Sequence, residues 1–224
     1  MNSQHDLSGL QRATLTEFFT RERSFFLTGG AALVGYHLHH RTTDDLDLFT
    51  LDDTAFERHR HVLPHVAVAL GAEIQVLQDA PDFRRYGLSR AGDALVVDLV
   101  RERVAQLRPE KLEIGGILVD PPDEILANKL TALVGRQEER DLVDVYALER
   151  DGLRVEDALP AALAKDGGCT PATLAWLLSG LDLSAEAKLP GGVSADELRA
   201  YASNLVKRLR RLAAPTALGG GPDG

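Results

Sequence analysis

Asp45, Leu46, Asp47, Leu48 and Phe49 alternate charged and apolar side chains, as a half-buried strand does. Alternate strand residues share a face, which sets the Asp45 and Asp47 carboxylates about 7 Å apart on one side and the leucines on the other. Two carboxylates so placed repel each other, and a divalent cation relieves the repulsion. Magnesium or manganese suits, because such cations take oxygen ligands and leave places for water and phosphate. The same tripeptide equally suits a solvent-facing edge strand. Gly29 and Gly30 end the apolar run Ser24 to Thr28 ahead of a helical segment. Backbone amides there come close to any anion, although a tight strand-to-helix turn uses glycine just as well. Asp98 lies inside Val96-Val97-Asp98-Leu99-Val100, where a lone carboxylate is costly unless paired, exposed or metal-bound. Beside the Asp45–Asp47 strand it would complete a three-carboxylate cluster. Such a cluster can hold two metals, one activating a hydroxyl and one bridging a triphosphate.

The order Gly-Gly, Asp-x-Asp, then a carboxylate on a later apolar strand resembles the polymerase β-like nucleotidyltransferases. The run from Thr28 to Phe49 is similar to the AbiEii/AbiGii-type toxin nucleotidyltransferases, in which glycines and a short helix precede Arg-x-Ser/Thr-x-Asp-hydrophobic-Asp. Lys129, Arg136 and the run Arg140 to Tyr146 resemble that family's helical lysine followed by Arg-Asp-x-x-Asp. The resemblance covers residues 25–49, 95–99 and 122–148. It implies transfer of a nucleoside monophosphate from an NTP to an acceptor, with RNA such as a tRNA 3′ end in view and a cognate antitoxin as partner. Gly29, Gly30 and Arg41 would hold the nucleotide, and Asp45, Asp47 and Asp98 would bind Mg2+ or Mn2+. Lys129 would reach a phosphate, Asp141 would line the site or position Lys129, and Asp98 would accept the acceptor's proton. One departure stands out: many polymerase β-like enzymes carry Gly-Ser where this chain has Gly29-Gly30, which removes a hydroxyl from the phosphate site.

The elements that must position these groups follow from periodicity. Apolar residues at helical spacing predict a helix over 8–22, then a strand Ser24 to Thr28 and a helix Ala31 to His39. A helix over 54–70 is expected to bend or break at Pro64. Strands are predicted at Glu73 to Leu77, Phe83 to Ser89 and Ala94 to Val100, the last two joined by the Ala91-Gly92-Asp93 turn. Leu112 to Val119 reads as one more strand. Past Pro121-Pro122 the chain turns helical, with Thr170-Pro171 opening one helix, Gly180 just beyond its end, and Ser194 to Glu197 as a capping box for the last. The fold class is therefore α+β. By the resemblance, residues 1–120 would form a polymerase β-like catalytic core, a small mixed sheet with helices. Residues 121–212 are expected to form an all-helical domain, which the resemblance implies completes the active site, and 213–224 a flexible tail.

Other charges admit plainer readings. Arg136, Arg140 and Asp144 at four-residue spacing could form surface pairs of about 0.3–0.5 kcal/mol. Basic runs at Arg84-Arg85, Arg101 to Arg103 and Lys207 to Arg211 are solvated faces or places for an RNA backbone. His37, His39, His40, His59, His61 and His65 lack the HExxH spacing of a zinc site.

The 224 residues carry a net charge of −9 and a single cysteine, Cys169. That balance argues against nucleic-acid binding over the whole surface, and one cysteine excludes an internal disulfide framework. No apolar run reaches the ~20 residues of a membrane helix, and the N-terminus lacks a signal-peptide pattern. A cytoplasmic protein without membrane partners is expected. Two other roles stay open on sequence alone: a non-catalytic nucleotide- or protein-binding relative, and an interaction module worked by the helical half.

Overall fold

A computed structural model describes residues 7–184 and 188–214. The tail expected to be flexible lies, beyond residue 214, outside the described residues, as does the side chain of His59.

The first helix, α1 (Gly9–Arg21), opens with a complete capping box between Ser8 and Gln11. It buries Leu10, Leu15, Phe18 and Phe19, and the Phe18 ring meets Phe25 edge-on at 5.4 Å. Strand β1 (Phe25–Thr28) runs directly into α2 (Gly29–Ala32), which continues as a π-helical turn, Leu33–His37. This helix starts two residues earlier than its apolar pattern suggests, because both glycines join it. After β2 (Asp45–Thr50) comes α3 (Asp53–Leu70), a single element through Pro64 that is capped by Asp52. The expected interruption at Pro64 does not occur.

Strands β3 (Glu73–Ala80), β4 (Phe83–Arg90) and β5 (Asp93–Arg101) form a meander. The segment read as one strand, Leu112 to Val119, is instead a hairpin of β6 (Leu112–Ile114) and β7 (Ile117–Val119). Gly115 and Gly116 between them both take positive φ, +59° and +83°, a backbone that folds the chain back where side-chain-bearing residues would resist it. The seven strands make one mixed sheet in the order β3-β4-β5-β2-β1-β7-β6, with β2 parallel to β5 and β1 parallel to β7.

Helices complete the described chain: α4 (Pro122–Gly135), α5 (Glu139–Arg150), α6 (Val155–Lys165), α7 (Pro171–Ser179) and α8 (Ala195–Ala213). Thr170 and Ser194 cap α7 and α8 as expected. The second half of the Ser194 box is missing, and the Glu197 carboxylate accepts from the Tyr146 hydroxyl.

The sheet has two unlike faces. Leu46, Leu48, Val97 and Leu99 are fully buried on the face where α1 and α3 pack. The other face carries Asp45, Asp47 and Asp98, and α2 packs against α4 beside it. Among the described residues no helix is long and apolar enough to cross a membrane.

Candidate active site

Register decides which carboxylates meet. In the parallel β2–β5 pair, Asp47 lies opposite Asp98 and Asp45 opposite Val96. Neighbouring strands are about 4.8 Å apart, so the three expected acidic residues share one small patch. Gln11 of α1 donates to the Thr43 carbonyl at 2.9 Å and so fixes the approach to β2. Thr43 Oγ1 donates to Asp45 Oδ1 at 2.6 Å.

Like charges crowd this patch. Burial first, then the neighbouring Asp45 carboxylate, push the Asp47 carboxyl up to about 7, with Asp98 adding to the shift and Lys129 and Arg136 opposing it. A carboxylate that protonates this easily is one that a cation would relieve. Among the described residues, however, no three acidic, imidazole or thiol groups converge as a finished cation cage. Asp98 shows why. Arg85, its cross-strand neighbour on β4, donates from Nε to Oδ1 at 2.8 Å and from Nη2 to Oδ2 at 2.7 Å. The donor set, all hard oxygens on rigid strands, fits magnesium or manganese in its chemistry, with Asp98 released from Arg85 as the condition.

The glycines stand against this patch. Gly29 has φ +64°, and a β-carbon there would run into the Asp47 carboxylate. A β-carbon on Gly30 would lie 2.5 Å from Arg41 Nη2. Gly29→Ala should therefore destabilise the protein by about 3 kcal/mol, about 1 kcal/mol of it from the left-handed backbone. In an Asp47→Ala background only the backbone part should remain. A denaturation cycle over the four proteins measures the difference, and an equal cost in both backgrounds would refute the steric clash.

Behind the carboxylates lies a second charged cluster, built where α4 and α5 meet. Asp141 and Asp144 are three residues apart, hence on one face of α5, and both are fully buried. Lys129 of α4 reaches between them, with Nζ 2.8 Å from Asp141 and 2.7 Å from Asp144. Arg136 grips Asp141 with a fork at 2.8 and 2.9 Å. Arg41 grips Asp144 likewise at 2.7 and 2.9 Å, and His40 adds a bond at 2.8 Å. Burial alone would lower the Lys129 pKa, but Asp144 and Asp141 more than offset it and hold it above the ordinary lysine value. Lys129 and Asp141 are thus together. Arg41, expected at the nucleotide, is 4% exposed and has Nε and Nη2 on Asp144 and Nη1 on the Thr42 carbonyl.

The surface pairs suggested by the spacing of Arg136, Arg140 and Asp144 do not form. Arg140 instead pairs with Glu138 at 2.5 Å and points one Nη1 towards Asp45, 3.8 Å away. Sequence reading also gave Arg84 and Arg85 a shared role that the sheet divides. Arg84 is buried over the Phe56 ring on the α3 face, whereas Arg85 faces the carboxylates. Alternation along β4 is the signal that could have separated them.

A family model described as the nucleotidyl transferase AbiEii toxin, of a type IV toxin–antitoxin system, matches residues 14–215. No curated protein matches the sequence. Among solved structures, JHP933 from Helicobacter pylori superposes with a TM-score of 0.59 at 22% identity, over 91% of this chain and 92% of that one. A second Helicobacter pylori structure gives 0.42 at 18% identity, over 91% and 94%. The Megavirus polyadenylate synthase gives 0.41 at 13% identity, over 62% and 31%. At these identities the JHP933 likeness speaks for the fold alone.

Proposed function

Because the chain belongs to the AbiEii nucleotidyl transferase toxin family, we propose that it transfers a nucleoside monophosphate from an NTP to an RNA acceptor, such as a tRNA 3′ end, at the Asp45–Asp47–Asp98 patch. The observation that carries this reading is the register of Asp47 against Asp98, which brings three carboxylates to one spot beside the Gly29-Gly30 helix start. Bound there, Mg2+ or Mn2+ would supply charge to offset what builds on the α-phosphate during in-line attack. The chain's own part is positional. Thr43 and Gln11 orient the Asp45 strand, Gly29 leaves room for Asp47, and the Lys129–Asp141–Asp144 cluster holds α5 and its Arg140 beside the carboxylates. Lys129 adds a positive field at Asp47 from a buried position, and Asp98 is the acceptor for the incoming hydroxyl's proton.

An RNA acceptor is supported by the surface of the helical half. Lys207, Arg210 and Arg211 are exposed along α8, and Trp176 on α7 is 74% exposed. Arg210 and Trp176 line one shallow pocket of about 370 Å3. Cations beside an open aromatic face suit a phosphate backbone with unstacked bases. The family's toxin–antitoxin setting implies a cognate antitoxin as partner and a cytoplasmic place of action.

The test is incubation of the protein with each labelled NTP, Mg2+ and total RNA. Label should enter RNA from one preferred nucleotide and should be lost with EDTA. Label on the protein alone would replace the RNA acceptor by a protein one. No label with any nucleotide would refute the transferase reading.

A further inference from the structure

Arg85 covers Asp98, one of the three carboxylates of the patch. Its guanidinium takes both oxygens of Asp98, at 2.8 and 2.7 Å, and Asp98 is the only side chain with which it forms an ion pair among the described contacts. The Arg85 side chain is 44% exposed while Asp98 is 7% exposed, so the carboxylate is fixed and the arginine is free to leave. Its neighbour Arg84, 3% exposed and held by Asp79 at 2.5 Å, has no such freedom. Phe83, whose ring centroid lies 5.4 Å from the Arg85 guanidinium carbon, offers a flat surface along which the group can pivot.

We propose that Arg85 is an exchange residue: it neutralises Asp98 in the cation-free protein and moves to the triphosphate when a divalent cation takes Asp98. Leaving a fork-on-carboxylate pair without a new partner is unfavourable. A phosphate presents two oxygens to the same fork, and the greater negative charge of a triphosphate holds the guanidinium more tightly than one carboxylate does. A bare cation competes with Arg85 for Asp98, whereas a cation arriving with a triphosphate supplies Arg85 with its replacement. Cation and triphosphate binding are therefore coupled positively through this side chain. Arg85 is a positioning residue for the triphosphate, and the inference rests on the carboxylate patch being the cation site of the proposed function.

Mn2+ and the preformed Mn2+–tripolyphosphate complex serve as probes that need no knowledge of the base. Binding of each to the full chain is measured by calorimetry, for the parent, Arg85→Gln, Arg85→Lys and Asp47→Asn. Arg85→Gln should bind free Mn2+ about tenfold more tightly and Mn2+–tripolyphosphate about tenfold more weakly than the parent. Arg85→Lys, which keeps charge but loses the fork, should shift both the same ways by about threefold. It carries the test should the glutamine variant not fold. A merely structural arginine would weaken both ligands together, and that result, or no change in free Mn2+ affinity, overturns the exchange. If the parent shows no Mn2+ binding that Asp47→Asn removes, the cation site itself fails, and with it the proposed function. Binding that Asp47→Asn removes but Arg85 leaves unaltered defeats this inference alone.

Discussion

Asparagine at Asp47 is expected to lower nucleotidyl transfer by roughly a thousandfold and to make the cation-free protein more stable at the same time. The activity loss follows from removing the central carboxylate, the one facing Asp98 across the sheet. The stability gain follows from electrostatics. Burial, Asp45 and Asp98 raise the Asp47 carboxyl to about 7, so between about pH 4 and pH 7 the folded protein holds a proton that the unfolded chain has released. Stability contributed by the protonated group is complete below about pH 4 and is lost as pH rises through 7. At full burial a shift of this size corresponds to about 4 kcal/mol. Asp47 is partly exposed, and solvent screening brings the expected gain at pH 8 to about 1–2 kcal/mol. Thermal unfolding with EDTA should show Asp47→Asn and the parent alike near pH 4 and the variant ahead at pH 8. Added Mn2+ should then stabilise the parent alone. A variant that keeps its activity, or that is less stable than the parent at pH 8 without metal, would remove Asp47 from the centre of the site.

Removing Asp144 should have the largest effect on folding. Four donors from three residues converge on this fully buried carboxylate: Arg41 twice, His40 and Lys129. Burial alone would raise its pKa, but Lys129 foremost, then Arg41 and His40, hold it well below the ordinary carboxylate range. Asp144→Ala leaves Lys129 and Arg41 buried with part of their charge uncompensated, which costs about 3–5 kcal/mol. The sign of its pH dependence is opposite to that of Asp47. A depressed carboxyl contributes stability that is present above its ordinary pKa near 4 and is lost as pH falls below it. Denaturant titrations should therefore show a gap between parent and Asp144→Ala that is full at pH 7 and narrows at pH 3. Transfer activity should fall with the folded fraction. An Asp144→Ala protein as stable as the parent would mean that the cluster is not what holds α5 against α4.

The contrast between these two aspartates separates what local sequence encodes from what it leaves open. Alternation in Asp45 to Phe49 was enough to put both carboxylates on one face, because a strand has a period of two wherever it lies. The glycines at 29 and 30, the lone carboxylate at 98 and the change to helices at Pro121-Pro122 were equally legible, each being a local violation or punctuation of a pattern. The family was legible in the same residues. Leu112 to Val119 was misread because its apolar run hid a two-glycine turn, whereas the helix over 54–70 was legible and only an interruption at Pro64 does not occur.

Only the tertiary structure decided that Asp47 lies opposite Asp98, since register between distant strands depends on which leucines interlock across the core. It alone sent Arg84 to the core face over Phe56 and Arg85 to Asp98, two identical neighbours with opposite surroundings. Arg41, Lys129, Asp141 and Asp144 were legible as charged residues of a motif, but not as a buried, mutually neutralised cluster. A charge is tolerated in the interior only when its partners arrive with it, and Asp144 takes Arg41 and His40 from a segment about a hundred residues away, joined to it only by folding.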